Sequence, residues 1–292
     1  MSDVAVNHQQ LLATAVEAAR AGGEVLLRWF RSGALDVQVK AENDFVTRAD
    51  RESENVVRAI IARRHPDHAV LGEEGGASPG AGEFLWVVDP LDGTTNFLQG
   101  LPVFCVSIAC MRGQRIEAAA VLDPLGDNLF TATRGGGARW NGNPIQVSRR
   151  AGLQGAFLAT GYPFRARGAL DLYLAVFREV FLRARAVRRC GAAALDLAYT
   201  AAGVYDGFFE FRLSPWDVAA GALLVREAGG AICDLDGGER YLETGNVLAA
   251  APGVLGELRA AVAVHADEAA VARAVPSGPA ALPGAAGTGR RW

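Results

Sequence analysis

Lysine is nearly missing from this 292-residue chain: of 29 basic residues only Lys40 is a lysine. Alongside abundant alanine and glycine this is a compositional bias, so the number of arginines carries no chemistry by itself. An excess of one charge sign is missing too. Thirty-two acidic residues against 29 basic leave a net charge of −3, which excludes the bulk positive field of a general nucleic-acid binder. No nucleic-acid partner is expected. Nothing approaches the roughly 18 uninterrupted apolar residues of a spanning helix, and Met1 to Gln10 lacks a basic segment followed by an apolar one. A cytoplasmic protein with no membrane association is the expectation. Cysteine is scarce: Cys105, Cys110, Cys190 and Cys233 contain no Cys-x-x-Cys pair and have no matching histidines. That argues against a zinc site or a disulfide framework and for reduced, buried thiols.

Half of the residues are apolar, enough for one large or two ordinary domains. Leu11, Leu12, Ala15, Val16, Ala19, Leu26 and Phe30 recur at helical spacing. A second helix is predicted over Val56, Val57, Ile60 and Ile61, with Asp50 as its N-cap. Strand-length apolar runs follow at 84–88, 103–109, 116–122 and 129–133, separated by glycine-rich turns, and predict an antiparallel middle. After about residue 150 the pattern alternates: strands at 156–160, 207–211, 231–234 and 247–250, helices at 171–183, 192–202 and 215–228. The division expected is 1–150 as an α+β half, 151–265 as an α/β half and 266–292 as a flexible Ala/Gly/Pro-rich tail.

The most informative stretch is Trp86-Val87-Val88-Asp89-Pro90-Leu91-Asp92-Gly93-Thr94-Thr95-Asn96-Phe97. An apolar strand runs into two carboxylates three residues apart, then into glycine and two hydroxyls. Hard divalent cations take oxygen ligands, and two aspartates at this spacing can share them. Gly93 lets the backbone approach a ligand, and free N–H groups opening a following helix form a phosphate cradle. Carboxylates beside such a cradle imply a cation between them, because alone they repel the anion. Paired glutamates in Leu71-Gly72-Glu73-Glu74-Gly75 are a second acidic cluster. The third, Ser214-Pro215-Trp216-Asp217, reads as a helix start with Ser214 as N-cap, Pro215 at the first position and Asp217 at the third. Capping alone explains Asp217 when that segment stands by itself. His65 and His68 look like loop residues and receive no metal role.

Taken in order, these segments resemble the inositol monophosphatase family over about residues 10 to 255. The match rests on Asp89–Phe97, on Trp216-Asp217-Val218-Ala219-Ala220-Gly221 closing with Glu227-Ala228-Gly229-Gly230, and on Gly72-Glu73-Glu74. It extends to Val46-Thr47-Arg48-Ala49-Asp50 and Gly191-Ala192-Ala193-Ala194-Leu195-Asp196-Leu197-Ala198. The resemblance implies a layered αβαβα sandwich, a homodimer and lithium-sensitive, magnesium-dependent hydrolysis of a phosphate monoester, with two to three ions per site. By the same resemblance Glu73, Asp89 and the Leu91 carbonyl hold one magnesium, and Asp89, Asp92 and Asp217 a second. A third, weaker ion leans on Glu73. Glu73 and Thr94 orient the attacking water, and the amides of Gly93 and Thr94 hold the phosphate.

Glu74 supports its neighbour in that scheme. Lys40 matches a mobile-loop lysine near the metals, and a plain surface lysine is the equal alternative. For Asp50, helix capping and support of the site both stand. Glu210 matches a glutamate that accepts hydrogen bonds from substrate hydroxyls, with Ala193 and Gly191 lining the same pocket. This favours a phosphorylated polyol or sugar, inositol 1-phosphate first. The segment Ala159-Thr160-Gly161-Tyr162-Pro163-Phe164-Arg165 resembles bacterial members, among which fructose 1,6-bisphosphate, histidinol phosphate or NADP are alternative substrates and binding of transcription machinery is an additional role. Arg165 or Arg167 is a candidate for reaching a second phosphate.

Overall fold

The computed structural model describes residues 6–32, 37–41, 44–164 and 167–265. The expected tail and Arg165 lie outside the described residues, as does the side chain of Lys40. Helices α1 (His8–Trp29) and α2 (Arg48–Arg64) open the chain, joined by an unanticipated antiparallel hairpin of β1 (Val37–Ala41) and β2 (Asp44–Thr47). The N-cap of α2 is Thr47, not Asp50. The Thr47 hydroxyl accepts from the amides of Ala49 and Asp50, while the Asp50 carboxylate accepts back from the Thr47 amide. This capping box, worth about 1 kcal/mol, sets Asp50 at the third helical position.

His65 and His68 lie in the turn that follows α2, loop residues as the sequence predicts, and neither is exposed. His65 caps the end of α2, is buried, and stacks on His68 with 4.5 Å between ring centroids. The Trp86 indole donates to His68 Nδ1, and burial pushes the His68 pKa down to about 4. Both rings are packing elements under the first sheet.

That sheet is built from β3 (Ala69–Gly72), β4 (Gly76–Ser78), β5 (Phe84–Asp92), β6 (Cys105–Arg112), β7 (Arg115–Asp123), β8 (Asn128–Thr133), β9 (Gly137–Trp140) and β10 (Asn143–Pro144), with the short helix α3 (Thr94–Leu98) between β5 and β6. Its spatial order is β10-β9-β8-β7-β6-β5-β3-β4. Pairing is antiparallel, as the sequence predicts, except that β3 runs parallel to β5. The second half alternates β11 (Phe157–Thr160), α4 (Leu170–Phe181), β12 (Ala186–Arg188), α5 (Ala193–Ala201), β13 (Gly207–Glu210), α6 (Pro215–Glu227), β14 (Ala231–Cys233), α7 (Tyr241–Thr244), β15 (Val247–Ala250) and α8 (Pro252–His265). Its strands form a mixed sheet in the order β12-β11-β13-β15-β14.

Three apolar clusters stack these elements into five layers. Leu26, Val57 and Ile61 of α1 and α2 pack on Trp86, Val106 and Ile108 of the first sheet. Leu197 of α5 with Val218 and Leu224 of α6 fill the space between Val121 and Phe130 on one side and Phe208 and Val247 on the other. Val176 of α4 and Leu258 of α8 cover Leu158, Phe209 and Leu248 on the outer face of the second sheet. The result is the αβαβα sandwich. Helix α6 is buried almost all round, from Pro215 to Val225 apart from Trp216. A helix between two sheets has no solvent face to make polar, and its alanines let both sheets approach. Among the described residues no helix is long and apolar enough to cross a membrane.

Candidate active site

In a regular strand Asp89 and Asp92, three residues apart, would point to opposite faces. A bulge prevents this. Asp89 pairs with Ser107 and Asp92 with Cys105, so three steps along β5 match two along β6. The extra residue turns both carboxylates to one side, and Pro90 occupies the interruption, where no ladder donor is needed. Glu73 follows the C-terminal end of β3, which is parallel to β5, and its amide donates to the Val88 carbonyl. The ends of these parallel strands lie together, as in other α/β sites. Asp217 enters from α6 as the sequence predicts: Ser214 precedes the helix, Pro215 is its first residue, and the Ser214 amide donates to Asp217 Oδ2 at 2.7 Å. The same carboxylate that caps the helix also offers an oxygen to the acidic cluster.

Asp89, Asp92 and Asp217 are all buried, and each offers a carboxylate oxygen within 4.8 Å of the others. Burial first, then the charges of Glu73, Asp92 and Asp217, hold the Asp89 pKa well above the usual carboxylate range. Asp92 is pushed up to about 7 by burial and by Asp217, against the lowering effect of its hydrogen bond from the Ala194 amide. Three buried carboxylates at this separation cannot all ionise unless a cation lies among them. An all-oxygen donor set fits a hard divalent ion such as Mg²⁺ better than the softer metals that sulfur and imidazole select.

These acids line one cavity of about 440 Å³ with Glu73, Leu91, Gly93, Thr94, Gly191, Ala193 and Glu210. The volume belongs to the small-molecule class. Gly93 has φ +91°, and a Cβ there would meet the Val103 carbonyl at 2.8 Å, so both backbone conformation and packing require glycine. It caps α3, whose first amides lack partners within the helix. A Cβ at Gly161 would overlap the Glu210 carboxyl group, so a side chain there would displace that carboxylate.

Thr94 Oγ1 lies 3.2 Å from Asp50 Oδ1 and 3.1 Å from the Leu91 carbonyl. Its hydrogen is thus directed away from the cavity's acceptor need, leaving the oxygen's lone pairs to accept. Asp50 therefore serves both expectations at once, closing the capping box with one oxygen and positioning Thr94 with the other. Glu74 and Asp50 do not line the cavity, and neither does Arg167.

Sequence reasoning missed three contributors. Glu54, buried and paired with Arg58 at 2.6 Å, accepts from the amides of Glu74 and Gly75 and so clamps the loop carrying Glu73. The signal was available, because Glu54 falls on the same stripe of α2 as Val57 and Ile61. Arg189 and Arg212 line the cavity, and nothing in an arginine-rich sequence marks them.

The family model for the inositol monophosphatase family matches residues 7–268. The chain belongs to that family. Among curated relatives, Nus factor SuhB of Pseudomonas aeruginosa is 50% identical over 247 residues, spanning 82% of this chain and 91% of that protein. Nus factor SuhB of Escherichia coli K12 is 46% identical, spanning 84% and 92%. Among solved structures, extragenic suppressor protein SuhB from Bartonella henselae superposes with a TM-score of 0.83 at 39% identity, covering 86% of this chain and 98% of its own. Inositol monophosphatase from Anabaena gives 0.80 at 37%, covering 91% and 100%. Membership implies a metal-dependent phosphatase fold and a phosphorylated substrate.

Proposed function

We propose that this chain is a magnesium-dependent phosphomonoesterase that hydrolyses inositol 1-phosphate to inositol and phosphate, acting as a homodimer. The observation that carries the reading is the buried trio Asp89, Asp92 and Asp217 in one cavity with Glu210 and the head of α3. Glu73, Asp89 and the Leu91 carbonyl would hold one ion, and Asp89, Asp92 and Asp217 another. Bound there, magnesium supplies an acidified water and compensates charge at phosphate. The protein's own groups supply the positioning. Thr94 Oγ1, its hydrogen committed to Asp50 or Leu91, accepts a hydrogen bond from the attacking water, and the Glu73 carboxylate is the base that takes the water's proton. The amides of Gly93 and Thr94 donate to phosphate oxygens as charge spreads over them. Glu210 accepts from the hydroxyls flanking the ester and orients the leaving group.

A panel of phosphate esters assayed with Mg²⁺ tests the reading: inositol 1-phosphate should head it, ahead of histidinol phosphate and NADP. No turnover of any ester would overturn it. Glu210→Gln keeps size and an acceptor oxygen but loses a charge-assisted hydrogen bond. Its kcat/KM for inositol 1-phosphate should fall about ten- to a hundredfold while an aryl phosphate without hydroxyls is little affected. Equal losses on both would place Glu210 in support of the carboxylate cluster instead. Lithium at millimolar concentration should inhibit under saturating substrate, and unchanged turnover would remove lithium sensitivity from the account.

The relatives named Nus factor favour one additional role, binding to transcription machinery. An inactive Asp89→Asn protein separates the two, since a binding role survives loss of turnover.

A further inference from the structure

Asn96 belongs to the stretch Asp89–Phe97, yet none of the chemistry above uses it. It is buried in the short helix α3, two residues beyond Thr94, and does not line the cavity. Its Nδ2 donates to the Val103 carbonyl at 2.8 Å and to the Cys190 carbonyl at 2.9 Å, with the Gly191 carbonyl at 3.3 Å. A carboxamide nitrogen carries two N–H donors, so one serves Val103 and the other is shared between the two distant carbonyls.

Those distant carbonyls belong to the connection between β12 and α5, and neither accepts from a backbone amide among the described residues. A connection outside any ladder or helix is held by whatever side chains reach it. Gly191 has φ +86°, and a Cβ there would come within 3.3 Å of Asn96 Nδ2. Gly93 packs on the same connection, where its Cβ would lie 3.4 Å from that of Ala192. One step further on, the Ala194 amide donates to Asp92 Oδ2 at 2.7 Å. The connection is therefore tied to the β5–α3 turn on both sides of Ala192, by Asn96 before it and by Asp92 after it.

Gly93 and Thr94 line the cavity at the head of α3, whereas Gly191 and Ala193 line it together with Glu210. In the phosphomonoesterase reading, on which this inference rests, the first group takes the phosphate and the second the leaving alcohol. The bond to be broken lies between them, so their spacing governs alignment for in-line attack. We propose that Asn96 is a positioning residue that fixes the distance between the phosphate cradle at α3 and the leaving-group wall at Gly191 and Ala193. A polyol ester gripped at both ends depends on that distance, and an ester gripped only at its phosphate does not.

Asn96→Ala removes both donors. With Mg²⁺, its kcat for inositol 1-phosphate should fall about tenfold or more while KM changes by less than about threefold, because both ends of the ester still find their groups. An aryl phosphate without hydroxyls should lose less than about threefold in kcat. Combined with Glu210→Gln the losses should not multiply, because a wall that no longer grips the alcohol gains little from being placed. The rise in melting temperature on adding Mg²⁺ should match that of the wild type, since the carboxylates are untouched. The melting temperature itself should drop under any role, because the Cys190 and Gly191 carbonyls lose their donor. Asn96→Ser, whose hydroxyl can donate to one carbonyl, should recover part of the kcat and takes the place of the alanine variant if that does not fold. Equal losses on both esters, an undiminished kcat for inositol 1-phosphate, or losses that multiply in full with Glu210→Gln would overturn the inference and leave Asn96 a packing role. A smaller Mg²⁺ rise would overturn it in favour of support for the carboxylates. A wild type inactive on both esters would remove the underlying reading itself.

Discussion

Asp89→Asn and Asp217→Asn should each reduce magnesium-dependent turnover of inositol 1-phosphate on the order of a thousandfold, with an unchanged circular dichroism spectrum. Both substitutions preserve the local hydrogen bonds. Asp89 Oδ1 accepts from the Leu91 amide and Asp217 Oδ2 from the Ser214 amide, and the carbonyl of asparagine can accept in either place. What is lost is one negative charge from a cluster whose oxygens lie within 4.8 Å of each other. This separates a metal ligand from a helix cap: if Asp217 only capped α6, asparagine would serve as well and turnover would persist. Fully active Asp217→Asn would therefore reassign that residue to helix initiation.

Without metal, the melting temperature should fall as pH rises from about 5 to about 8, and Mg²⁺ should raise it by several degrees more at the upper pH than at the lower. In the folded metal-free chain Asp89 is held well above its ordinary value of 3.8 and Asp92 at about 7. Both are raised above the unfolded values, so their contribution is fully present below about pH 4. It is lost as pH climbs through the folded values, because the unfolded chain ionises first. A divalent cation favours the ionised forms, releases the protons and reverses the loss. Asp196 and Asp234, also raised by burial, push in the same direction, and His68, lowered to about 4, pushes in the opposite one. None of these three is one of the trio, so the difference between magnesium and chelator at each pH isolates the cluster. A magnesium shift of equal size at both pH values would contradict the charge-relief argument.

The candidate acids were legible because each sits where local pattern is strongest: Asp89 and Asp92 at the end of an apolar strand, Glu73 in a glycine-flanked pair, Asp217 behind Ser214-Pro215. Their convergence was not. The bulge that turns Asp89 and Asp92 to one face is a property of pairing with Ser107 and Cys105 on β6, and no local pattern encodes it. Helix α8 is not legible in the sequence, because Pro252, Gly253 and Gly256 obscure the helical spacing of Val254, Leu255, Leu258 and Val262. Thr47 and Asp50 are both good capping residues, so local pattern does not say which begins α2, and only the structure shows them capping reciprocally. The part of Asn96 is not legible for a third reason. Two of the carbonyls around its side chain lie 94 and 95 residues further along the chain, and no local pattern brings them there.

The central claim is that the carboxylates of Asp89, Asp92 and Asp217 carry phosphate-ester hydrolysis by holding magnesium. Its most direct test is the initial rate of phosphate release from inositol 1-phosphate by metal-stripped protein, titrated with Mg²⁺ at about pH 7.5. The expected result is no detectable release in chelator and a saturable rise on adding Mg²⁺ that Asp89→Asn abolishes. Release at the same rate in chelator as in saturating Mg²⁺ would contradict it.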